Sequence, residues 1–126
     1  MNKEFIPYQQ ALALKELGFD EPCFKVYDTM GYLQDEQTML NMELDYCPAP
    51  TFSQAFRWFR EKYYLHSYIK CSCSVNEIFS FDWIIHKIMN AGTKEENFLT
   101  DYERTYEEAE LECLIKLIQI VNEKSI

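Results

Sequence analysis

From Phe52 to Tyr63 the apolar side chains recur at Phe52, Ala55, Phe56, Phe59 and Tyr63, the spacing of a single stripe on one helix. Arg57, Arg60 and Glu61 fall mostly on the other side, and Trp58 lies at the stripe's margin. The stretch opens with Thr51-Phe52-Ser53-Gln54, a T-x-x-Q capping box in which the hydroxyl accepts the N–H three residues on and the amide reaches back. Pro48 and Pro50 keep the residues before them out of helical geometry, so the entry is stiff and extended. The pattern predicts a helix from about Phe52 to Tyr63. Its rings are core and its cations a solvated face.

Two further helices follow from the same kind of signal. Thr105-Tyr106-Glu107-Glu108 is a second capping box, and Leu111, Leu114, Ile115, Ile118 and Val121 repeat behind it, with Leu117 and Ile120 widening the face. Acids crowd the first half of this segment and Lys116 and Lys124 come later. That order suits the helix dipole, at about 0.3–1 kcal/mol per well-placed charge. The N-terminal helix is predicted over Ile6–Gly18, with Pro7 in its first turn and Gly18 at its left-handed stop. Tyr8, Ala11, Leu12 and the stem of Lys15 share its inner face.

Period-two alternation marks the strands. Cys23–Tyr27 and Leu65–Lys70 are short candidates, and Ile78–Met89 is a longer one. In the last, Phe79, Phe81, Trp83 and Ile85 point one way, while Ile78, Ser80, Asp82, Ile84 and His86 point the other. Residues 90–96 read as a polar loop and Asp28–Gly31 as a turn, and Leu33–Tyr46 is open between a strand, a helical turn and loop. The elements predict one globular domain over residues 1–126. It is an α+β fold with three helices packed on one face of a small, mainly antiparallel sheet of three to four strands. The helices at 52–63 and 105–123 supply most of the core, against Phe79, Phe81 and Trp83.

Composition supports a real core: 48% of the 126 residues are hydrophobic and 16% aromatic, with only three Gly and four Pro. The net charge of −9 argues against indiscriminate phosphate binding. It is unevenly spread. Residues 1–50 hold three lysines against nine acids, residues 51–94 six cations against three acids, and residues 95–126 three cations against nine acids. A basic middle third thus lies between two acidic thirds. The five cysteines are odd in number and irregularly spaced, and no signal-peptide pattern opens the chain, so reduced thiols and a cytoplasmic location are expected. The apolar runs are too short to span a bilayer.

Candidate chemistry is sparse. His66, Cys71, Cys73 and His86 are zinc-ligand types, but Cys71-Ser72-Cys73 lacks the usual two-to-four-residue spacing and a second matched pair. Cys23 or Cys113 with His66 or His86 supplies thiol and imidazole without any pattern that joins them. There is no phosphate-binding glycine loop, no G-x-S-x-G and no H-E-x-x-H. Glu107 and Glu108 are explained by the helix start. No enzyme activity, metal or cofactor is therefore expected.

Three blocks of the chain, Phe5-Ile6-Pro7-Tyr8 with residues 11–24, the helix at residues 49–63, and Thr105–Val121, resemble small uncharacterised proteins encoded by phages and prophages of anaerobic gut bacteria. The resemblance implies a phage-linked setting and brings no activity with it. The expected function is that of a non-enzymatic accessory or regulatory protein that binds another protein, host or phage, or its own copy. The exposed candidates are Arg57, Trp58 and Arg60 on the basic side and Glu107, Glu110 and Glu112 on the acidic side. Two alternatives use the charge differently: an acidic decoy that occupies a host enzyme's nucleic-acid groove, and a nucleic-acid binder built on the basic 57–94 region with Trp58 or Tyr64 stacking on bases.

Overall fold

The computed structural model of the protein describes residues 4–73, 79–88, 95–99 and 105–124. Ten elements follow in order: α1 (Tyr8–Glu16), β1 (Lys25–Tyr27), β2 (Leu33–Asp35), α2 (Glu36–Asn41), β3 (Cys47–Ala49), α3 (Phe52–Tyr63), β4 (Leu65–Cys73), β5 (Phe79–Ile88), β6 (Glu95–Leu99) and α4 (Tyr106–Lys124). The fold is α+β with antiparallel pairing throughout. The strands divide between two sheets, ordered β2-β1-β3 and β4-β5-β6, in place of the single sheet expected, and α2 is a fourth helix. The chain forms two compact units, Met1–Ala55 and Phe56–Ile126.

The first unit is built on local signals. Pro7 is the N-cap of α1, and Gly18 ends it at φ 103°. Phe19 N–H donates to the Leu14 carbonyl and Gly18 N–H to that of Lys15, both at 3.0 Å, the double bond of a Schellman stop. The inner face of α1 is Ala11 and Leu14; Leu12 and Lys15, expected inside, are exposed. Asp28 shapes the β1–β2 turn. Its carboxylate accepts the N–H groups of Met30 and Tyr32 at 2.9 and 3.0 Å and the Gln34 amide at 3.1 Å. Residues 4–6 extend the sheet beside β3: Phe5 bridges Thr51, and Ile6 N–H donates to the Pro50 carbonyl. The Tyr27 hydroxyl donates to the Ile6 carbonyl and its ring meets Tyr8 edge-on at 5.3 Å, so the small core around Ile6, Leu14, Val26 and Phe52 is tied to the chain's entry.

The helix bounds of α3 agree with the pattern. Thr51 Oγ1 accepts Gln54 N–H at 3.1 Å, while the Gln54 amide turns to the Pro22 carbonyl at 2.9 Å and the Glu21 carboxylate at 3.4 Å. Phe52, Ala55 and Phe59 are buried and Phe56 and Tyr63 half-buried.

In the second unit α4 lies across β4 and β5. Trp83 and Ile85 of β5 and Leu65 of β4 are buried, and Phe81 meets Tyr106 edge-on at 6.1 Å, consistent with the expected inward face of β5; the side chain of Phe79 lies outside the described residues. Thr105 caps α4, its Oγ1 accepting Glu108 N–H at 3.1 Å. The buried face of α4 is Ala109, Cys113, Leu114, Leu117, Ile118, Ile120 and Val121. It is rotated from the expected stripe: Leu111 is half-buried and Ile115 is 37% exposed. Ala109 explains the rotation, because a side chain that small lets the helix axis approach the sheet at that point. Glu95 and Glu96, expected in a loop, belong to β6, paired with Ile88 and Lys87.

Candidate functional site

Alternation along β4 sets the histidines and the nearest cysteine apart. His66, Tyr68 and Lys70 point to one face and Leu65, Ser67, Ile69 and Cys71 to the other, and His66 stands directly opposite His86 on β5. Cys71 therefore does not share a face with the two imidazoles, and Cys73's side chain lies outside the described residues. Among the described residues no three His, Cys, Asp or Glu side chains converge on a common point. Tyr68 stacks on His86 with ring centres 5.9 Å apart. On β5, Asp82 Oδ1, Trp83 Nε1 and His86 Nδ1 are buried without a hydrogen-bond partner among the described residues.

The thiols named as nucleophile candidates are held protonated. Cys113, fully buried on α4, is pushed up to about 12, first by burial and then by Glu110, with the nearby Ser67 hydroxyl pulling the other way. Cys23 is pushed up to about 11 by burial and by Glu21. A reactive cysteine needs the opposite shift. In the first unit a cleft of about 110 Å³ is lined by Lys15, Tyr27, Asp28, Tyr46 and Cys47 among others. Three of its polar groups are committed within the unit: the Lys15 amine to the Tyr46 carbonyl at 3.4 Å, the Tyr27 hydroxyl to the Ile6 carbonyl, and the Asp28 carboxylate to its turn.

The basic candidates divide between surface and core. Arg57, Arg60 and Lys62 of α3 are exposed, as is Lys70 of β4. Trp58, proposed with them as an open contact, is only 5% exposed. Its ring meets Phe59 and Tyr63 edge-on at 5.1 and 5.5 Å, with the Lys62 amine 5.0 Å from its centre. It is core, and the aromatic side chains left open beside the basic residues are Tyr64 and Tyr68.

Of the acidic candidates only Glu112 lies on the outer side of α4; Glu107 and Glu110 point to other sides of the helix. Glu107 and Glu112 are exposed, and so is Glu108, which pattern reading assigned only to the cap. Glu110 is half-buried, its carboxyl raised above the usual range by desolvation and by Glu107. Along the outer side of α4, Glu108, Glu112, Ile115, Gln119 and Glu123 are all exposed and form one ridge. An open groove of about 490 Å³ runs beside it, lined by Ile115, Ile118, Gln119, Asn122 and Glu123. Sequence reasoning missed this ridge because it placed Ile115 inside. The available signal was Ala109 with Cys113, a small pair one turn apart that marks where the buried stripe is centred.

No protein-family model matches the chain, and no curated protein or solved structure matches it either. No helix among the described residues is long and apolar enough to cross a membrane.

Proposed function

We propose that the protein is a phage-linked, cytoplasmic, non-enzymatic accessory protein that works by binding another protein through the outer ridge of α4. One observation carries the reading: an open groove with Ile115 and Ile118 at its centre and Gln119, Asn122 and Glu123 at its edge, beside a ridge that carries the exposed Glu108 and Glu112, the apolar centre and polar rim of a docking surface. The rim favours a partner segment that is basic and amphipathic. A host enzyme's nucleic-acid groove has that chemistry, so an acidic decoy is the specific form this reading takes. Burial of Trp58 weakens the reading as a nucleic-acid binder, which loses one of its two stacking candidates and keeps Tyr64.

The test compares proteins captured from host lysate by the wild type and by Ile115→Asp, identified by mass spectrometry. A partner held by the wild type at low salt and lost by the variant supports the ridge. Identical captures by both remove α4 as the surface. Titration against labelled single- and double-stranded nucleic acid across salt covers the other class, since direct binding there would fall steeply with salt.

A further inference from the structure

Strand β4 is the longest strand edge with no neighbour among the described residues. It is nine residues long, about 30 Å at the usual rise, and is the outer member of the β4-β5-β6 sheet. Its register with β5 runs unbroken from Leu65 opposite Lys87 to Cys73 opposite Phe79, so no bulge twists the edge away. It contains neither proline nor glycine, and Lys70 is its one Lys, Arg, Asp or Glu. Apart from the ladder to β5, no backbone hydrogen bond leaves it among the described residues. Tyr68 is 50% exposed and Lys70 and Cys71 are exposed, so this half of the strand is open.

The other edges are guarded. β2 and β3 are three residues long, β3 contains Pro48, and its line is continued by the pairing of residues 4–6 with residues 50–52. β6 has five residues and begins with two glutamates. Proteins ordinarily blunt a long edge with such devices, because unpaired N–H and C=O groups recruit another strand. β4 has one lysine to do this.

We infer that β4 pairs with β4 of a second copy of this chain, antiparallel about a two-fold axis at Ile69, joining the two sheets into one of six strands. A two-fold axis normal to the sheet keeps each residue on its own face, so partners must share a face. Centred on Ile69, the pairing sets Tyr68 opposite the second copy's Lys70, twice, and Ser67 opposite its Cys71. Each Lys70 ammonium then meets a tyrosine ring, a cation–π contact. Moving the axis to Lys70 would oppose two ammonium groups, and moving it to Tyr68 would oppose Lys70 to His66. Both are poorer cross-strand pairs. The charge on the edge thus selects both the register and a self-complementary occupant. Two-fold pairing also consumes both open edges and closes the assembly. This surface is distinct from the α4 ridge.

Sedimentation across protein concentration and salt tests it, with Tyr68→Lys as the variant, because that change opposes ammonium to ammonium at two places on an exposed position. The expected result is a dimer at both low and high salt, weakened at least tenfold by Tyr68→Lys while far-ultraviolet circular dichroism is unchanged. Hydrogen exchange on the wild type gives an independent reading: alternate β4 amides become protected as concentration rises. In a Ser67→Cys, Cys73→Ser double variant, mild oxidation joins position 67 of one copy to Cys71 of the other, as mapped by peptide mass spectrometry, if the register is right; a bridge between the two Cys71 residues overturns the register. A wild-type monomer at every concentration overturns the proposal. So does a dimer unaffected by Tyr68→Lys, or β4 protection that requires a different protein. A dimer that dissolves in salt also overturns it, since that places the contact between oppositely charged patches. None of these outcomes bears on whether Ile115→Asp loses its captured partner.

Discussion

The Lys62 ammonium lies 5.0 Å from the centre of the Trp58 ring, one turn back along α3. The pair joins what the sequence left side by side: the ring is inside, and the cation covers it from solvent. Trp58→Ala should cost about 3–5 kcal/mol, as for other buried large aromatics, and Lys62→Ala about 0.5–1 kcal/mol, the size of an exposed cation–π contact. Urea unfolding of both variants checks this. A Trp58→Ala protein with the wild-type midpoint would mean the indole is not core.

The rotated face of α4 separates two adjacent positions. Leu114 is fully buried and Ile115 is 37% exposed. Leu114→Asp should leave no folded protein, because an unpaired buried carboxylate has nothing to compensate it. Ile115→Asp should stay folded and lose about 1 kcal/mol. Circular dichroism and thermal melting distinguish them, and equal effects at both sites would return the helix to the sequence-predicted stripe.

These two helices show what the sequence made legible. Both capping threonines, Thr51 and Thr105, hold the N–H three residues on, and Gly18 ends α1 as expected, because each is a local device written in a few consecutive residues. The face of α4 was not legible for a local reason too: Leu111, Leu114, Ile115, Leu117, Ile118, Ile120 and Val121 encircle too much of the helix for periodicity to choose a centre. Strands β2 and β3 are three residues long, below the length at which alternation is readable, and Glu95 and Glu96 open β6 with side chains that read as loop. Division into two sheets depends on pairings such as Lys25 with Ala49, far apart in sequence, which no window of neighbours reports. At the candidate site the acids were legible as charge, while the exposure of Ile115 and the burial of Trp58 needed packing to decide.

Tyr64 links α3 to β4 at φ 58°, and its side chain is half exposed. A left-handed conformation costs a non-glycine residue about 1–2 kcal/mol, while glycine gives back up to about 1 kcal/mol in unfolded-chain entropy. Tyr64→Gly should therefore raise stability by about 0.5–1 kcal/mol, read as a higher urea midpoint at unchanged slope. A lower midpoint would show that the tyrosine ring contributes more packing than its exposure suggests.

Thiol reactivity should follow burial. Cys71 is exposed, Cys47 and Cys113 are buried, and Cys23 is half-buried. Alkylation of native protein at neutral pH, mapped by peptide mass spectrometry, should label Cys71 before Cys23 and Cys47, and Cys113 only under unfolding conditions. Because the folded Cys113 keeps its proton to about 12 while an unfolded thiol ionises at about 8.5, the folded state binds more protons in that window. Stability should therefore fall as pH rises through it. Cys113→Ala should flatten that alkaline decline, and an unchanged slope would place the thiol in water.

Two carboxyls should shape the acid side with opposite signs. Glu110 is raised by desolvation and by Glu107, so the folded chain holds its proton to higher pH than the unfolded chain does. Its contribution is present below the ordinary carboxylate value and is lost as pH rises through the raised one. Asp28 is lowered, first by the Tyr32 N–H and then by the Gln34 amide and the other turn N–H groups. Its contribution is present above the ordinary value and is lost as pH falls through the lowered one. In urea melts taken across acidic to neutral pH, Glu110→Gln should remove part of the decline above the ordinary carboxylate range. Asp28→Asn should remove part of the loss at the acid end, because the turn then no longer depends on an ionised carboxylate. If the Glu110→Gln curve parallels the wild type throughout, Glu110 is as hydrated as the exposed acids Glu108 and Glu112, and the start of the buried face of α4 does not desolvate it.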